Sequence, residues 1–265
     1  MVEISRPRRG GAGSLLFLAA AFFLAQPCWT GKAAAAEALV AVAANFTDVT
    51  NALKQQFAAA SGHRLTITIG STGKLYAQIT NGAPYDILLA ADAEHPMLLE
   101  KSTYGVPGSR FTYAVGRLTL WSANEALIAT DGAATLRAGA FRHLAIANPK
   151  LAPYGAAAKQ TLEALGLWNA VQGRIVQGED IGQVFSMVST GNAELGFVAL
   201  SYVVNPRNPR KGSRWDVPTE LYQPIRQDAV LLAHGKDNPA ATGFLAYLKT
   251  AETRRFIAKF GYGAD

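Results

Sequence analysis

Short apolar runs rich in β-branched residues alternate with stretches whose apolar positions recur every three to four residues. That alternation predicts strands at 39–43, 65–69 and 87–90, with helices between and after them. The first helix carries Phe46, Val49, Leu53 and Phe57 at helical spacing, the second covers about 72–81, and a short third covers 95–101. Extended segments at 111–115 and 118–121 then change the rhythm. A second set follows: a strand at 143–147, a helix at 156–165 stopped by Gly166, and a strand at 175–177. It closes with a helix at 181–190 stopped by Gly191 and a strand at 195–200. The proline- and glycine-bearing stretch 205–214 predicts a loop, 229–233 a strand, and 239–260 a helical tail with Phe244, Leu248 and Phe256 turned inward. Strand–helix–strand repeats of this kind build parallel sheets with helices on both faces. Two such sets joined by extended segments predict an α/β molecule of two lobes with a cleft between them.

The first 36 residues do not share this pattern. Arg6, Arg8 and Arg9 precede an apolar run from Leu15 to Ala25, which ends in Pro27 and the small residues Ala33 to Ala36. This is the layout of a cleaved export signal, and the run is too short to cross a bilayer. Its removal changes two totals. The 265-residue chain carries 25 Lys+Arg against 19 Asp+Glu, but residues 37–265 carry 21 against 18, a net charge of +3. That is too mild for nucleic-acid binding, and no basic run argues otherwise. The single cysteine, Cys28, leaves with the signal, which excludes thiol catalysis, thiolate metal ligation and a disulfide framework in the mature chain.

The candidate chemistry lies where strands run into helices. Four such junctions are built from small or polar residues: 43–48, 69–74, 148–155 and 178–182. The first N–H groups of a helix have no intrahelical partner and lie at the positive end of its dipole, so a small oxyanion placed there is held without Lys or Arg. In a doubly wound sheet these ends gather at one edge. Asn45, Ser71, Thr72 and Asp180 are also ordinary helix-capping residues, and taken singly each fits either role. Other chemistries lack their parts. Gly70-Ser71-Thr72-Gly73-Lys74 is not a phosphate loop, because the G-x-x-x-x-G-K-[ST] spacing is absent. No G-x-S-x-G elbow accompanies the four histidines, which disfavours an exported hydrolase, and the histidines are not spaced as metal ligands. Asp86 and Asp92 read as caps or inter-lobe contacts.

Taken in order, several segments resemble the periplasmic molybdate-binding proteins of ABC importers. They are Val40 to Phe46, Gly70-Ser71-Thr72-Gly73, Asn81-Gly82-Ala83-Pro84-Tyr85-Asp86, Ala91-Asp92, Pro107 to Ala114, Ala147-Asn148-Pro149, Ala152-Pro153-Tyr154-Gly155 and Leu195 to Leu200. The resemblance covers nearly all of the chain beyond the signal. It implies a type II periplasmic-binding-protein fold, each lobe a mostly parallel sheet flanked by helices, with the ligand in the cleft. One lobe would comprise 37–113 plus 229–265 and the other 114–228. It implies a non-enzymatic, monomeric periplasmic protein that takes up molybdate or tungstate and delivers it to a membrane permease, with no cofactor and no direct protein–metal bond. Sulfate or another tetrahedral oxyanion is the alternative ligand. The implied contacts are Ala44 and Asn45 at the first junction, Ser71 and Thr72 at the second, Tyr154 at the third and the Ile181 N–H at the fourth. Some relatives use a tyrosine hydroxyl where this chain has Ala199, and many carry Ser where it has Asn45.

Overall fold

The structure, a computed structural model, describes residues 35–207 and 209–263. The export signal expected at 1–36, with Cys28, lies outside those residues except for Ala35 and Ala36.

The first half of the fold is β1 (Glu37–Ala43), α1 (Thr47–Ser61), β2 (Arg64–Gly70), α2 (Thr72–Thr80), β3 (Ile87–Leu89), α3 (Glu94–Lys101) and β4 (Phe111–Gly116). Then come β5 (Leu118–Ser122), α4 (Gly132–Ala138), β6 (Leu144–Ala147), α5 (Pro153–Ala164), α6 (Trp168–Val171) and β7 (Ile175–Gly178). The remainder is α7 (Ile181–Ser189), β8 (Leu195–Ala199), α8 (Leu200–Val203), β9 (Ser213–Asp216), β10 (Ile225–Leu231), α9 (Pro239–Leu248) and α10 (Ala251–Ala258).

The strands form two five-stranded sheets, ordered β2-β1-β3-β10-β4 and β7-β6-β8-β5-β9. Both follow one plan: three parallel strands in the order second–first–third, then a strand antiparallel to both of its neighbours. Only Arg117 separates β4 in the first sheet from β5 in the second, and the return crossing runs through 217–224. The chain therefore folds as two α/β lobes joined by two crossings, the second carrying a short 3-10 turn at Thr219–Leu221.

The alternation along β1 explains its two-sided burial. Ala38, Val40 and Val42 pack with Val49, Leu53 and Phe57 of α1 and with Phe244 of α9. Ala41 turns the other way, onto Leu75 and Ile79 of α2 and Leu99 of α3. Each large side chain buried in this way contributes about 1.5–3 kcal/mol. The second lobe has its own core around Leu120, Ile146, Leu162, Val184 and Phe197, and Ala43, Ala44 and Ala91 of the first lobe pack against it. Alanines at that boundary let the two strand edges approach closely.

Some elements differ from the sequence pattern. The tail is two helices rather than one, because the Thr250 hydroxyl accepts the Thr253 N–H at 3.2 Å and starts α10 afresh. The predicted loop 205–214 ends at Gly212, since Ser213 and Arg214 already pair with β5. β10 begins at Ile225 rather than at 229 and ends at Leu231. The short elements α4, α6 and α8 have no lengthwise periodicity to betray them.

Candidate functional site

All four strand–helix junctions meet at the boundary of the lobes, around one small cavity. It is lined by Ala43, Ala44, Asn45, Gly70, Ser71, Thr72, Ala91, Ala152, Pro153, Tyr154, Asp180 and Ile181, with a volume of about 10 Å³. That is far below the usual range of organic-ligand pockets and leaves room only for a group of a few atoms. The six residues singled out from the sequence, Ala44, Asn45, Ser71, Thr72, Tyr154 and Ile181, are thus brought together. A neighbouring hollow shares Ala91, Ala152 and Pro153 and is larger, about 380 Å³. Asp92 and Glu94 line it together with His95, Lys150 and Arg226, so its wall carries both signs of charge.

The helix starts are prepared for an external acceptor. No side chain caps the turn at Ala44–Phe46, α2 or α5. At α5 Pro153 occupies the first turn, where its missing N–H costs nothing. α7 differs. The Asp180 carboxylate accepts from the N–H groups of Gly182 and Gln183, at 2.8 and 3.0 Å, and the Ile181 N–H is not among its donors. Ser71 occupies the N-cap position of α2 in extended conformation, yet its hydroxyl makes no capping bond. It is buried without a hydrogen-bond partner, an arrangement that native interiors rarely leave unexplained. The Thr72 hydroxyl accepts the Ala91 N–H at 2.9 Å, which leaves its own proton to donate.

Two polar side chains at the cavity answer to a buried network behind it. The Asn45 amide turns inward: its Nδ2 donates to Gln227 Oε1 at 2.9 Å and to the Tyr262 hydroxyl at 3.1 Å. Both protons of that amide are therefore committed away from the cavity, while Asn45 Oδ1 is buried without a partner. The Tyr154 hydroxyl accepts from Gln227 Nε2 at 3.1 Å. Burial, then the nearby Tyr262 and Tyr113, pushes the Tyr154 pKa well above the ordinary phenol value against the opposing effect of the Gln227 bond. Tyr113, Tyr202 and Tyr262 are raised as well, chiefly by burial. These hydroxyls stay protonated near neutral pH and act as donors.

Among the described residues no Lys, Arg or His lines the cavity. Lys74 pairs with Glu179 at 3.1 Å across the cleft rim, both side chains being more than half exposed. The lobes also meet through the Gly73 N–H, which donates to Leu151 O at 2.9 Å, and through Asn205 Nδ2, which donates to Asp48 at 2.8 Å. The Tyr202 hydroxyl donates to Ala44 O across the same boundary. This is a closed cleft. Ala199 is buried at the end of β8, three residues before Tyr202. Of the two carboxylates flanking β3, Asp86 holds the Leu39 N–H, His234 and Asn238, while Asp92 caps the turn at His95. Among the described residues no group of three or more His, Cys, Asp or Glu is arranged to hold a metal ion.

Sequence reasoning missed Gln227, the hub of the network. Its signal was the polar pair Gln227-Asp228 inside the otherwise largely apolar strand β10, both residues being buried. Ala43 and Ala152, which help complete the lining, lie in the junctions named from the sequence but were not among the contact residues, nor was Ala91.

The geometry agrees with the relationships of the sequence. A family model described as bacterial extracellular solute-binding protein matches residues 38–263. The molybdate-binding protein ModA of Azotobacter vinelandii is 52% identical over 231 residues, spanning 87% of this chain and 91% of that protein. The Rhodobacter capsulatus protein of the same name is 44% identical over 262 residues, 99% of each chain. The solved Azotobacter vinelandii periplasmic molybdate-binding protein superposes with a TM-score of 0.83 at 40% identity, covering 86% of this chain and 99% of that one. The chain belongs to the bacterial extracellular solute-binding protein family.

Proposed function

We propose that this member of the extracellular solute-binding family captures molybdate or tungstate as the intact dianion and hands it to the membrane permease of an ABC importer. The observation that carries this reading is the cavity itself: four helix starts and the buried, unpartnered Ser71 hydroxyl converge on a space that no cationic side chain among the described residues lines. Fixed N–H and O–H dipoles can hold a desolvated anion as well as counter-charges do. The ligand contacts would be the main-chain N–H groups of Ala44, Asn45 and Ile181 together with the hydroxyls of Ser71, Thr72 and Tyr154. The similarity to two proteins named as molybdate-binding, at 52% and 44% identity, supports the choice of ion. No step of the reading requires bond making or breaking. The protein would act as a monomer in the periplasm after loss of residues 1–36. Among the described residues no helix is long and apolar enough to cross a membrane.

Calorimetric titration tests the choice of ion. Molybdate and tungstate share size, shape and charge, so fixed donors distinguish them poorly. Sulfate is a smaller tetrahedron, and hydrogen bonds from donors set for the larger ion are stretched and weakened. Several charge-assisted bonds of about 1.5–3 kcal/mol each then separate the ions by orders of magnitude in Kd. The expected order is molybdate ≈ tungstate ≫ sulfate. Sulfate binding as tightly as molybdate would refute the assignment.

A further inference from the structure

We propose that Gln227 is the positioning residue that turns the Tyr154 proton toward the anion. The inference rests on the oxyanion reading and adds a residue that does not line the cavity. Gln227 is fully buried on β10, beside the crossing between lobes, where the β4–β10 register shifts. Its Oε1 accepts from Asn45 Nδ2 at 2.9 Å and its Nε2 donates to the Tyr154 hydroxyl at 3.1 Å, while the Tyr113 hydroxyl, 3.1 Å from Oε1, also reaches the Ala90 carbonyl at 2.9 Å.

The direction of these bonds is anchored by a group that cannot turn over. The main-chain carbonyl of Asn45 only accepts, and the Tyr262 hydroxyl donates to it at 2.7 Å, shorter than its 3.1 Å contact with Ser201 Oγ. With its proton committed there, the Tyr262 oxygen receives the Asn45 amide N–H, so Asn45 presents Nδ2 to Gln227 as well. Gln227 must then offer Oε1 to Asn45 and Nε2 to Tyr154. An amide nitrogen has no acceptor capacity, so the Tyr154 proton cannot turn back toward Gln227 and is left to donate to the ligand. A second observation supports the same role. Gly116 closes β4 against this bond, and a Cβ there would lie 2.2 Å from the Tyr154 hydroxyl and 2.5 Å from Gln227 Nε2. The backbone makes room for one contact, which also joins the two lobes.

The experiment is a double-mutant cycle in molybdate affinity with Gln227→Met and Tyr154→Phe, each variant being checked for its melting transition. Met matches glutamine in size and adds no charge. Gln227→Met is expected to weaken binding about tenfold in the wild-type background and less than about twofold in the Tyr154→Phe background, because its effect passes through one hydroxyl. A near-ultraviolet tyrosine difference band on addition of molybdate, present in wild type and absent in Tyr154→Phe, should shrink in Gln227→Met. Equal losses in both backgrounds, or an unaltered band, would show a merely structural role and overturn the proposal. If Gln227→Met does not fold, Gln227→Glu carries the same comparison, since its carboxylate accepts the Tyr154 proton and draws it from the ligand. Wild-type binding together with a Tyr154→Phe variant that binds equally well would overturn the role of Gln227 and leave the oxyanion reading standing. A wild-type protein that does not bind molybdate would overturn both.

Discussion

Ser71→Ala separates a ligand donor from a helix cap, because the two roles predict opposite patterns in two measurements. As an N-cap, Ser71 would stabilise α2 in the free protein, and its loss would cost about 0.5–2 kcal/mol. For a chain of this size, each kcal/mol lowers Tm by about 2–4 °C. The structure argues for the other role. The hydroxyl makes no capping bond, and it is buried in the closed cleft with no protein partner. When the cleft opens without ligand, water can hydrate the hydroxyl, so the free protein should melt within about 1 °C of wild type. With the anion bound, one charge-assisted hydrogen bond is lost, about 1.5–3 kcal/mol, or roughly 10- to 150-fold in Kd. Calorimetric titration with molybdate, paired with melting curves with and without the ion, reads both quantities. An unchanged Kd with a Tm several degrees lower would refute the donor role and return Ser71 to the caps.

Three further perturbations have definite signs. Gly73→Ala would place a Cβ 3.1 Å from Leu151 O and 3.2 Å from its Cα across the closed cleft. Alanine favours the helix by up to about 1 kcal/mol, so the free protein should melt no lower, while molybdate affinity falls and small-angle scattering shows less compaction on binding; tighter binding would contradict this. Lys74→Ala breaks an exposed pair worth at most about 1 kcal/mol, so affinity should change no more than about fivefold, and abolished binding would overturn the uncharged-site account. Burial opposes protonation of His95, but the hydrogen bond and charge of Asp92, with Glu94, outweigh it and raise the imidazole pKa. The stability from that pair is fully present below the unfolded-state value of about 6.5 and is lost as pH rises through the higher folded one. Denaturant titration should therefore show the gap between wild type and His95→Gln narrowing from pH 6 to pH 8.

The sequence made the α/β alternation and the four junctions visible because both depend on local composition. A strand such as 39–43 is apolar at successive positions, and Gly70-Ser71 at the exit of 65–69 marks the turn into a helix. The pieces it concealed depend on partners far away in the chain. β9 went unread because its first residues, Ser213 and Arg214, close the proline- and glycine-bearing stretch 205–214, and only pairing with β5 makes it a strand. Asn45 lines the cavity as expected, but its side-chain amide is claimed by Gln227 and Tyr262, 182 and 217 residues onward. No local pattern reports a hydrogen bond of that span. The break at Thr250 was missed for the opposite reason, since a single threonine cap ends one helix and begins another without the glycine or proline that usually announces it.

The place of β10 has a consequence for the order in which the molecule can assemble. The last strand in the sequence lies inside the first sheet, hydrogen-bonded between β3 and β4. A growing or translocating chain therefore cannot complete that sheet until residue 231 has emerged, whereas the second sheet draws only on 118–216 and can close earlier. Asn45 and Ser71 are made near the start, yet the strand that carries Gln227 arrives in the final fifth. A chain cut short between Ser189 and Leu231 keeps all four helix starts and still lacks part of the scaffold that aims them. The capacity to hold an ion is the last property this polypeptide acquires.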